Sequence, residues 1–485
     1  MNLDADRCYK ACLSNDARFD GRFFAAVRTT GIYCRSICPA PMPKRENIVF
    51  YPSAAAAEQA GFRACRRCRP DASPGTPAWH GSSALVTRAL RLIDAGALDE
   101  AGLPDLSRRL GIGERQLSRL FVRHLGTSPV AVAQTRRVHF AKRLLEETSM
   151  PMGQIAFASG FASVRRFNHL IRKSFDRSPS EIRRDRPGAR VSGRDGHLDL
   201  RLTYRPPLDW SEILRTLTPR ATPGVESIEG ETYRRTVSHD GNTGVIEVRP
   251  SRGHSLSLRV IGPLSRSILP IAERVRDLFD LRCDAHTIRM CLISSRRLRS
   301  RLVRRPVPRV LGAWDGFETA VRIVLGQQVS VKGASTIAGR IAARYGEPIA
   351  EPRDGLRVLF PTPEALATAS LDRCGLTGAR VRAVRGLARG VCDGAIVLHP
   401  SSDPGEVRER LLGLPGIGRW TAETIVMRAL GHPDAFPAGD LGLRKALAVN
   451  GSLPGERELL ALSEAWRPWR AYAAMVLWRD PARQD

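Results

Sequence analysis

Long apolar runs are missing from this 485-residue chain. No stretch approaches the roughly 20 apolar residues of a membrane-spanning helix, which argues against a membrane partner. The opening residues Met1 to Lys10 hold no apolar core of the kind that begins a secretory signal, so the cytoplasm is the expected compartment. Lysine is scarce: six of the 76 basic residues are Lys, and residues 198–485 contain only Lys332 and Lys445. An amine nucleophile is therefore hardly available in that half. The ten cysteines of a cytosolic chain are metal ligands, nucleophiles or small hydrophobes rather than disulfides. Cys283, Cys291, Cys374 and Cys392 lack iron–sulfur spacing, so no iron–sulfur cluster is expected.

What is abundant is arginine. The net charge is +27, with +5 in residues 1–80, +10 in 81–190 and +12 in the remainder. Every region is basic, so the excess is not one tail, and a polyanion is the partner that fits. Codon bias toward arginine would explain the Arg:Lys ratio but not the sign of the balance.

Residues 1–78 contain Cys34-x3-Cys38 and, after 26 intervening residues, Cys65-x2-Cys68. Two short pairs separated by a small module are the usual supply of a tetrahedral four-cysteine zinc site. Cys8 and Cys12 lack a second pair and read as free thiols. The words Phe24-Ala-Ala-Val-Arg-Thr-Thr-Gly-Ile-Tyr-Cys34, Arg45-Glu-Asn-Ile-Val-Phe50 and Gly61-Phe-Arg-Ala-Cys-Arg-Arg-Cys68 resemble the N-terminal domain of the Ada adaptive-response proteins. That resemblance implies one Zn2+ on Cys34, Cys38, Cys65 and Cys68, with Cys34 accepting a methyl group from a DNA methylphosphotriester. Methylation would take the site from −2 to −1 and lessen repulsion from neighbouring phosphates. A zinc that only staples the fold is the alternative. Arg28, Arg35, Arg45, Arg66 and Arg67 are candidate phosphate contacts.

From Ala84 apolar residues recur at three- and four-residue steps. Two similar units, Leu106–Phe121 and Ile155–Leu170, each place a short helix, a turn glycine (Gly111, Gly160) and a second helix of mixed polar and apolar residues. These are helix-turn-helix patterns, flanking a long helix near 129–147. The Gly-Phe-Ala-Ser and Phe-Asn words and the closing Ser178-Pro-Ser-Glu-Ile182 resemble the AraC-type DNA-binding domain. Arg115, Gln116, Arg119, Arg165, Arg166 and His169 are the candidate DNA-reading residues.

The segment 186–197 is Gly-rich, charged and aperiodic, as a linker is. Leu198–Tyr204, Gly244–Arg249 and Leu256–Val260 alternate as strands of a half-exposed antiparallel sheet, with helices at Trp210 and over 268–279. After Arg305 the pattern is nearly all helical. Pro-Pro-Leu-Asp-Trp210, Leu-Phe-Asp-Leu-Arg-Cys283, Gly326-Gln-Gln-Val-Ser330, Phe-Pro-Thr-Pro363 and Trp466-Arg-Pro-Trp-Arg-Ala-Tyr472 resemble the AlkA-type 3-methyladenine glycosylases.

Leu414-Pro-Gly-Ile-Gly-Arg-Trp420, followed 20 residues later by Asp440, resembles the helix-hairpin-helix glycosylases. Gly416 and Gly418 allow a tight turn and leave amides open to a DNA phosphate. Glycosylases that also cut the strand carry a lysine at the hairpin, where this chain has Trp420. A monofunctional enzyme is implied, with Asp440 either stabilising the sugar cation or orienting water. Trp420, Trp478 and Gln327 would form the base pocket and Gln328 the lesion wedge. Thr424 and Arg479 stand where further pocket aromatics are expected, and a polar wedge is unusual, which widens the question of substrate range.

The expected architecture is multidomain: a small α/β zinc module (1–78), an all-α double helix-turn-helix domain (82–185), the linker (186–197), an α+β, TATA-binding-protein-like subdomain (198–300) and an all-α helix-hairpin-helix glycosylase core (301–485). The modules together imply an alkylation sensor, a transcription activator and a base-excision enzyme in one chain. The expected partners are double-stranded DNA, alkylated or promoter, and RNA polymerase, with the protein on the nucleoid. No Pro-Cys-His-Arg alkyltransferase motif is present. The alternative is a regulator whose C-terminal half grips DNA without excising bases.

Overall fold

The computed structural model describes residues 4–73, 84–148, 150–184, 197–449 and 451–479. The linker expected at 186–197 lies, apart from His197, outside the described residues. The chain forms two compact units: Met1–Pro206 with Ser251–Glu273 and Leu281–Cys283, and Pro207–Pro250 with Arg274–Asp280 and Asp284–Asp485.

The first unit begins with a four-stranded sheet in the order Ile48–Tyr51, Phe24–Val27, Ile32–Cys34, Arg63–Ala64. Strand alternation sorts its residues. Ala25 and Ile48 pack with Cys8, Ala11 and Cys12 of the helix Ala5–Leu13, while Phe24, Ala26 and Tyr33 pack on Ala57 of the helix Ala54–Gln59. Ser53 caps that second helix through its hydroxyl, which accepts from Ala56 N at 3.1 Å.

Both helix-turn-helix patterns form. Leu103–Leu110 is followed by Glu114–Leu125, and Met152–Ala158 by Val164–Phe175, with the 19-residue helix Pro129–Glu147 between the pairs. Gly160 turns at φ +78°, and a Cβ there would meet the Asp99 carboxylate at 2.7 Å, so only glycine fits the turn. Asp99 in turn pairs with Arg136 and Arg137 of the long helix.

The same long helix is tied to the cysteine-bearing sheet by buried polar contacts. Glu58 accepts from Tyr33 at 2.8 Å and Thr135 at 2.7 Å and pairs with His139 at 2.8 Å, and Lys142 meets Asp71 at 2.8 Å. His197–Thr203 pairs antiparallel with Ser255–Ile261, burying Leu200 and Leu202 while Arg201 faces water, the alternation expected of a half-exposed sheet.

The second unit contains the meander Glu226–Glu229, Thr232–His239 and Asn242–Ser251, of which the sequence flagged only the last. Its polar inner face carries Arg235, which meets Glu318 at 2.7 Å and lies over the Trp314 ring at 5.1 Å. Arg322 meets Glu226 at 2.8 Å. These pairs anchor the helix Gly316–Leu325. Beyond residue 305 the chain is helical as expected, except for a two-stranded sheet of Pro348–Arg353 and Leu356–Val358. Arg353 and Leu356 pair around a turn with Asp354 and Gly355 at positive φ, local turn chemistry that hydrophobic periodicity does not register.

Candidate functional site

The strand Ile32–Cys34 delivers Cys34 at its end, the following loop brings Cys38, and the short strand Arg63–Ala64 runs into Cys65 and Cys68. The four sulfurs lie within 4.8 Å of one another, with Cys38 Sγ and Cys65 Sγ at 3.9 Å. Sulfurs about 2.3 Å from a tetrahedral zinc stand about 3.8 Å apart, so the set fits that ion. Crowding alone splits the thiols: hydrogen bonding to Cys38, then Cys65 and Cys68, pushes Cys34 far up, while Cys34, Cys38 and Cys68 pull Cys65 far down. A divalent cation removes that conflict by holding all four as thiolates. Cys8 and Cys12 are buried, and burial, the largest cause, lifts them to about 11 and about 12, so they stay protonated thiols at neutral pH.

The cysteines open into a cavity of about 440 Å³ whose lining includes Cys34, Cys38, Met42, Arg63, Arg67 and Phe175. Arg66 lies on the same rim, and it, Arg67 and Arg28 are exposed. Arg45 lies over the Tyr9 and Phe50 rings and stands 3.7 Å from Asp6. Arg35 departs from the phosphate-contact expectation. It is only 9% exposed, its Nε donates to Asp20 at 2.8 Å and its Nη1 to Cys68 O at 3.0 Å, and its backbone N–H donates to Cys68 Sγ at 3.3 Å. It buttresses the cysteine site and is not available to DNA. Arg63, paired with Asp176 at 2.7 Å, is a rim cation the sequence reading missed. Its only signal was one more arginine before Cys65. Phe175 closes one side of the cavity from the end of the second recognition helix, which no local pattern announces.

Arg115, Gln116 and Arg119 are exposed on Glu114–Leu125, where Leu117, Phe121 and Leu125 are buried. Arg165, Arg166 and His169 are likewise exposed on Val164–Phe175, opposite Phe167, Leu170 and Ile171. Both second helices thus present polar faces to solvent.

In the second unit, the helices Pro404–Leu412 and Arg419–Arg428 flank the hairpin. Gly416 turns at φ +84°, with a would-be Cβ 3.2 Å from that of Ala383, so its backbone sits where a side chain cannot. Gly418 is exposed, starts Arg419–Arg428 without a side-chain cap, and has nothing within 4 Å of a Cβ. The first amides of that helix are therefore open to an anion.

Asp440 caps the helix Leu441–Ala446, accepting from Leu443 N at 3.0 Å. Its Oδ2 accepts from Trp420 Nε1 at 2.9 Å and its Oδ1 from Trp478 Nε1 at 2.8 Å. The carboxylate and both indoles, chosen separately on the sequence, therefore form one cluster, all three half-buried. Gly442 makes room for it, since a Cβ there would lie 3.3 Å from the Trp478 ring.

Gln327 takes a different place from the base-pocket one expected. Its Nε2 donates to Gly416 O at 3.0 Å and Thr421 Oγ1 at 2.8 Å, so both amide protons hold the hairpin. Gln328 beside it is exposed and held at φ +52°. Thr424 is buried and bonded to Trp420 O at 2.6 Å, and Arg479 pairs with Glu212 at 2.6 Å, so neither substitutes for a stacking ring. Among the described residues no helix is long and apolar enough to cross a membrane.

Four family models match consecutive segments. They are the metal binding domain of Ada over residues 7–71, a helix-turn-helix domain over 106–185, the AlkA N-terminal domain over 199–315 and the HhH-GPD superfamily base excision DNA repair proteins over 321–471. The chain is 42% identical over 482 residues to a Mycobacterium tuberculosis protein named probable bifunctional transcriptional activator/DNA repair enzyme AlkA, covering 99% of this chain and 97% of that one. It is 32% identical over 285 residues to DNA-3-methyladenine glycosylase 2 of Escherichia coli, covering 57% of this chain and 95% of that one. A solved 3-methyladenine DNA-glycosylase from Archaeoglobus fulgidus has a TM-score of 0.51 at 22% identity, over 58% of this chain and 97% of that one, which shows a shared fold.

Proposed function

We propose, from the premise that this chain belongs to the family of AlkA-type bifunctional transcriptional activators and DNA repair enzymes, a division of chemistry between two sites. The protein is a multidomain alkylation-damage response protein: an Ada-type four-cysteine zinc domain, an AraC-type helix-turn-helix domain and a helix-hairpin-helix DNA-3-methyladenine glycosylase that acts on DNA.

The observation that carries the glycosylase site is the Asp440 carboxylate, fixed by two indole N–H groups and one backbone N–H. In the proposed reaction Gly416 and Gly418 hold a phosphate, Gln328 fills the gap left by the flipped nucleotide, and the faces of Trp420 and Trp478 stack the cationic alkylated base. The bond from C1′ to the base nitrogen breaks, its electron pair neutralises the departing base, and Asp440 stabilises the positive sugar until water adds and loses its proton to solvent. With three lone-pair positions of the carboxylate already occupied, a fixed anion suits the arrangement better than a proton acceptor. Trp420 in place of a lysine leaves no amine to form a Schiff base, so the product is an intact strand with an abasic site.

At the cysteine site, zinc supplies thiolates at neutral pH. The Cys34 sulfur takes the methyl carbon of a methylphosphotriester: the S–C bond forms, the O–C bond breaks, and the electron pair restores the phosphodiester charge. Arg63, Arg66 and Arg67 on the rim hold the flanking phosphates. The methylated protein then binds promoter DNA through both recognition helices and engages RNA polymerase, which places it on the nucleoid.

The test pairs two readouts on alkylated duplex DNA. Free 3-methyladenine should appear without strand cleavage, and mass spectrometry should find one added methyl, on Cys34. A chain that releases no base, or one methylated on any other cysteine, refutes the corresponding half.

A further inference from the structure

The helix Arg296–Arg304 reads RRLRSRLVR and is followed by Arg305. From Ala285 to Trp314 the chain has no Asp or Glu at all. Leu298 and Leu302 are buried and fasten the helix to the second unit. Arg296, Arg297, Arg299, Arg304 and Arg305 are exposed, and among the described residues none of the five meets a carboxylate. An ordinary solvated helix mixes signs at three- and four-residue spacing. Here Arg297 and Arg301, and Arg301 and Arg305, are like charges four apart, which is destabilising by a few tenths of a kcal/mol per pair. Codon bias explains arginine in place of lysine, but not the loss of every acidic partner. Five exposed guanidiniums that meet no carboxylate among the described residues, Arg296, Arg297, Arg299, Arg304 and Arg305, make a surface for phosphates.

Its position indicates which phosphates. Arg301 Nη2 donates to Ala446 O at 3.1 Å, at the far end of the short helix that Asp440 caps. Arg297 and Arg304 lie four residues before and three after Arg301, so helical periodicity puts them on the same flank as that contact. The helix Leu441–Ala446 rises about 9 Å over its six residues, so the flank stands on the order of 10–15 Å from the catalytic carboxylate. Along one strand of B-DNA this is about three or four nucleotides.

From this geometry we infer that Arg296–Arg304 is a second DNA-backbone contact of the glycosylase half, gripping phosphates three to four nucleotides from the flipped base, with Arg297 and Arg304 as its principal contacts. The inference rests on Asp440 marking the reactive centre. The hairpin holds the strand near the lesion, and the arginine helix holds the flank, so that the duplex is clamped at two points rather than one.

The test uses the full chain and the double variant Arg297→Gln/Arg304→Gln, since glutamine keeps the helix. The probe is a duplex of about 20 base pairs carrying a tetrahydrofuran abasic analogue, titrated by fluorescence anisotropy between about 50 and 200 mM salt. Binding by the N-terminal half is common to both proteins and cancels in their ratio. The salt slope should fall by about 2, so that the variant loses about tenfold less affinity than wild type across that range. The control Arg353→Gln/Arg357→Gln, which removes the same charge from the exposed Pro348–Val358 hairpin, should leave the slope unchanged. An unchanged slope in the first variant overturns the inference and assigns the helix to another partner. An equal change in the control also overturns it, as a net-charge effect. Base release at saturating protein is read in parallel and should match wild type. Absence of release from every protein would refute the glycosylase reading while the slopes still decide the contact.

Discussion

Replacing Asp440 with Asn separates charge from shape at the proposed reactive centre. The carboxylate Oδ1 accepts from Trp478 and Leu443 N, and Oδ2 from Trp420 alone. An asparagine therefore keeps Oδ1 as its oxygen and turns its amide nitrogen toward the Trp420 N–H, leaving one half-buried donor unpaired. Such an orphan costs about 1–3 kcal/mol, which a domain of this size tolerates. The loss in the transition state is larger. A sugar cation about 4 Å from the carboxylate gains about 4 kcal/mol at an effective dielectric near 20, equivalent to roughly a thousandfold in rate. Single-turnover release of 3-methyladenine by saturating protein, followed chromatographically, should therefore fall about a thousandfold in Asp440→Asn. Its far-ultraviolet circular dichroism should match wild type, and its indole fluorescence should shift. A variant that excises within about tenfold of wild type would refute the role of Asp440 as the stabilising anion.

Trp420→Phe keeps a ring face and deletes one donor to the carboxylate, so the saturated excision rate should drop about ten- to a hundredfold with little change in half-saturating protein. A change in half-saturation alone would show that the donor does not matter. Gln327→Ala cuts the ties to Gly416 and Thr421 and should raise half-saturating protein about tenfold, with a rate at saturation within about threefold of wild type. The opposite split would return Gln327 to the base pocket. In the first unit, burial raises the Glu58 carboxyl but the His139 ring, with bonds from His139, Thr135 and Tyr33, holds it below the ordinary range. Burial likewise raises Asp71, and Lys142, then Arg69, bring it below. Folded-state values depressed in this way stabilise the unit above about pH 4 and stop doing so as pH falls through them. Lys142→Met should cost about 3–5 kcal/mol, lower Tm by about 10 °C and move acid unfolding of that unit to higher pH. A Tm within about 2 °C of wild type would show that the buried pair contributes little.

The legible parts of this chain were those whose chemistry is encoded at fixed local spacing. Cys34, Cys38, Cys65 and Cys68 sit in two short pairs, the helix-turn-helix units announce themselves by periodicity and a turn glycine, and the hairpin carries Gly416 and Gly418 two apart at the break before a helical pattern. Thr232–His239 was missed because Arg234 and Arg235 interrupt the alternation, and the buried one of them is paired with a glutamate 83 residues away. Arg35 and Gln327 have partners that the sequence did not announce, for a related reason: Arg35 bonds Asp20, and Gln327 bonds Gly416 and Thr421. Both are polar residues beside functional ones, and whether such a side chain faces a ligand or braces the backbone depends on partners distant in sequence.

By itself, then, the sequence determined the four-cysteine ligand set, the helix-turn-helix units and the hairpin with its two glycines, and it singled out Asp440 as a candidate, because each is written within a few tens of residues of chain. Only the tertiary structure decided that the indoles of Trp420 and Trp478 converge on Asp440 and that Phe175 closes the cavity at Cys34. It alone decided too that Arg35 belongs to Asp20, and that Arg301 of the arginine helix reaches the end of the helix that Asp440 caps. Each of those is a meeting of side chains from separate elements, and packing, which no local pattern records, sets which of them touch.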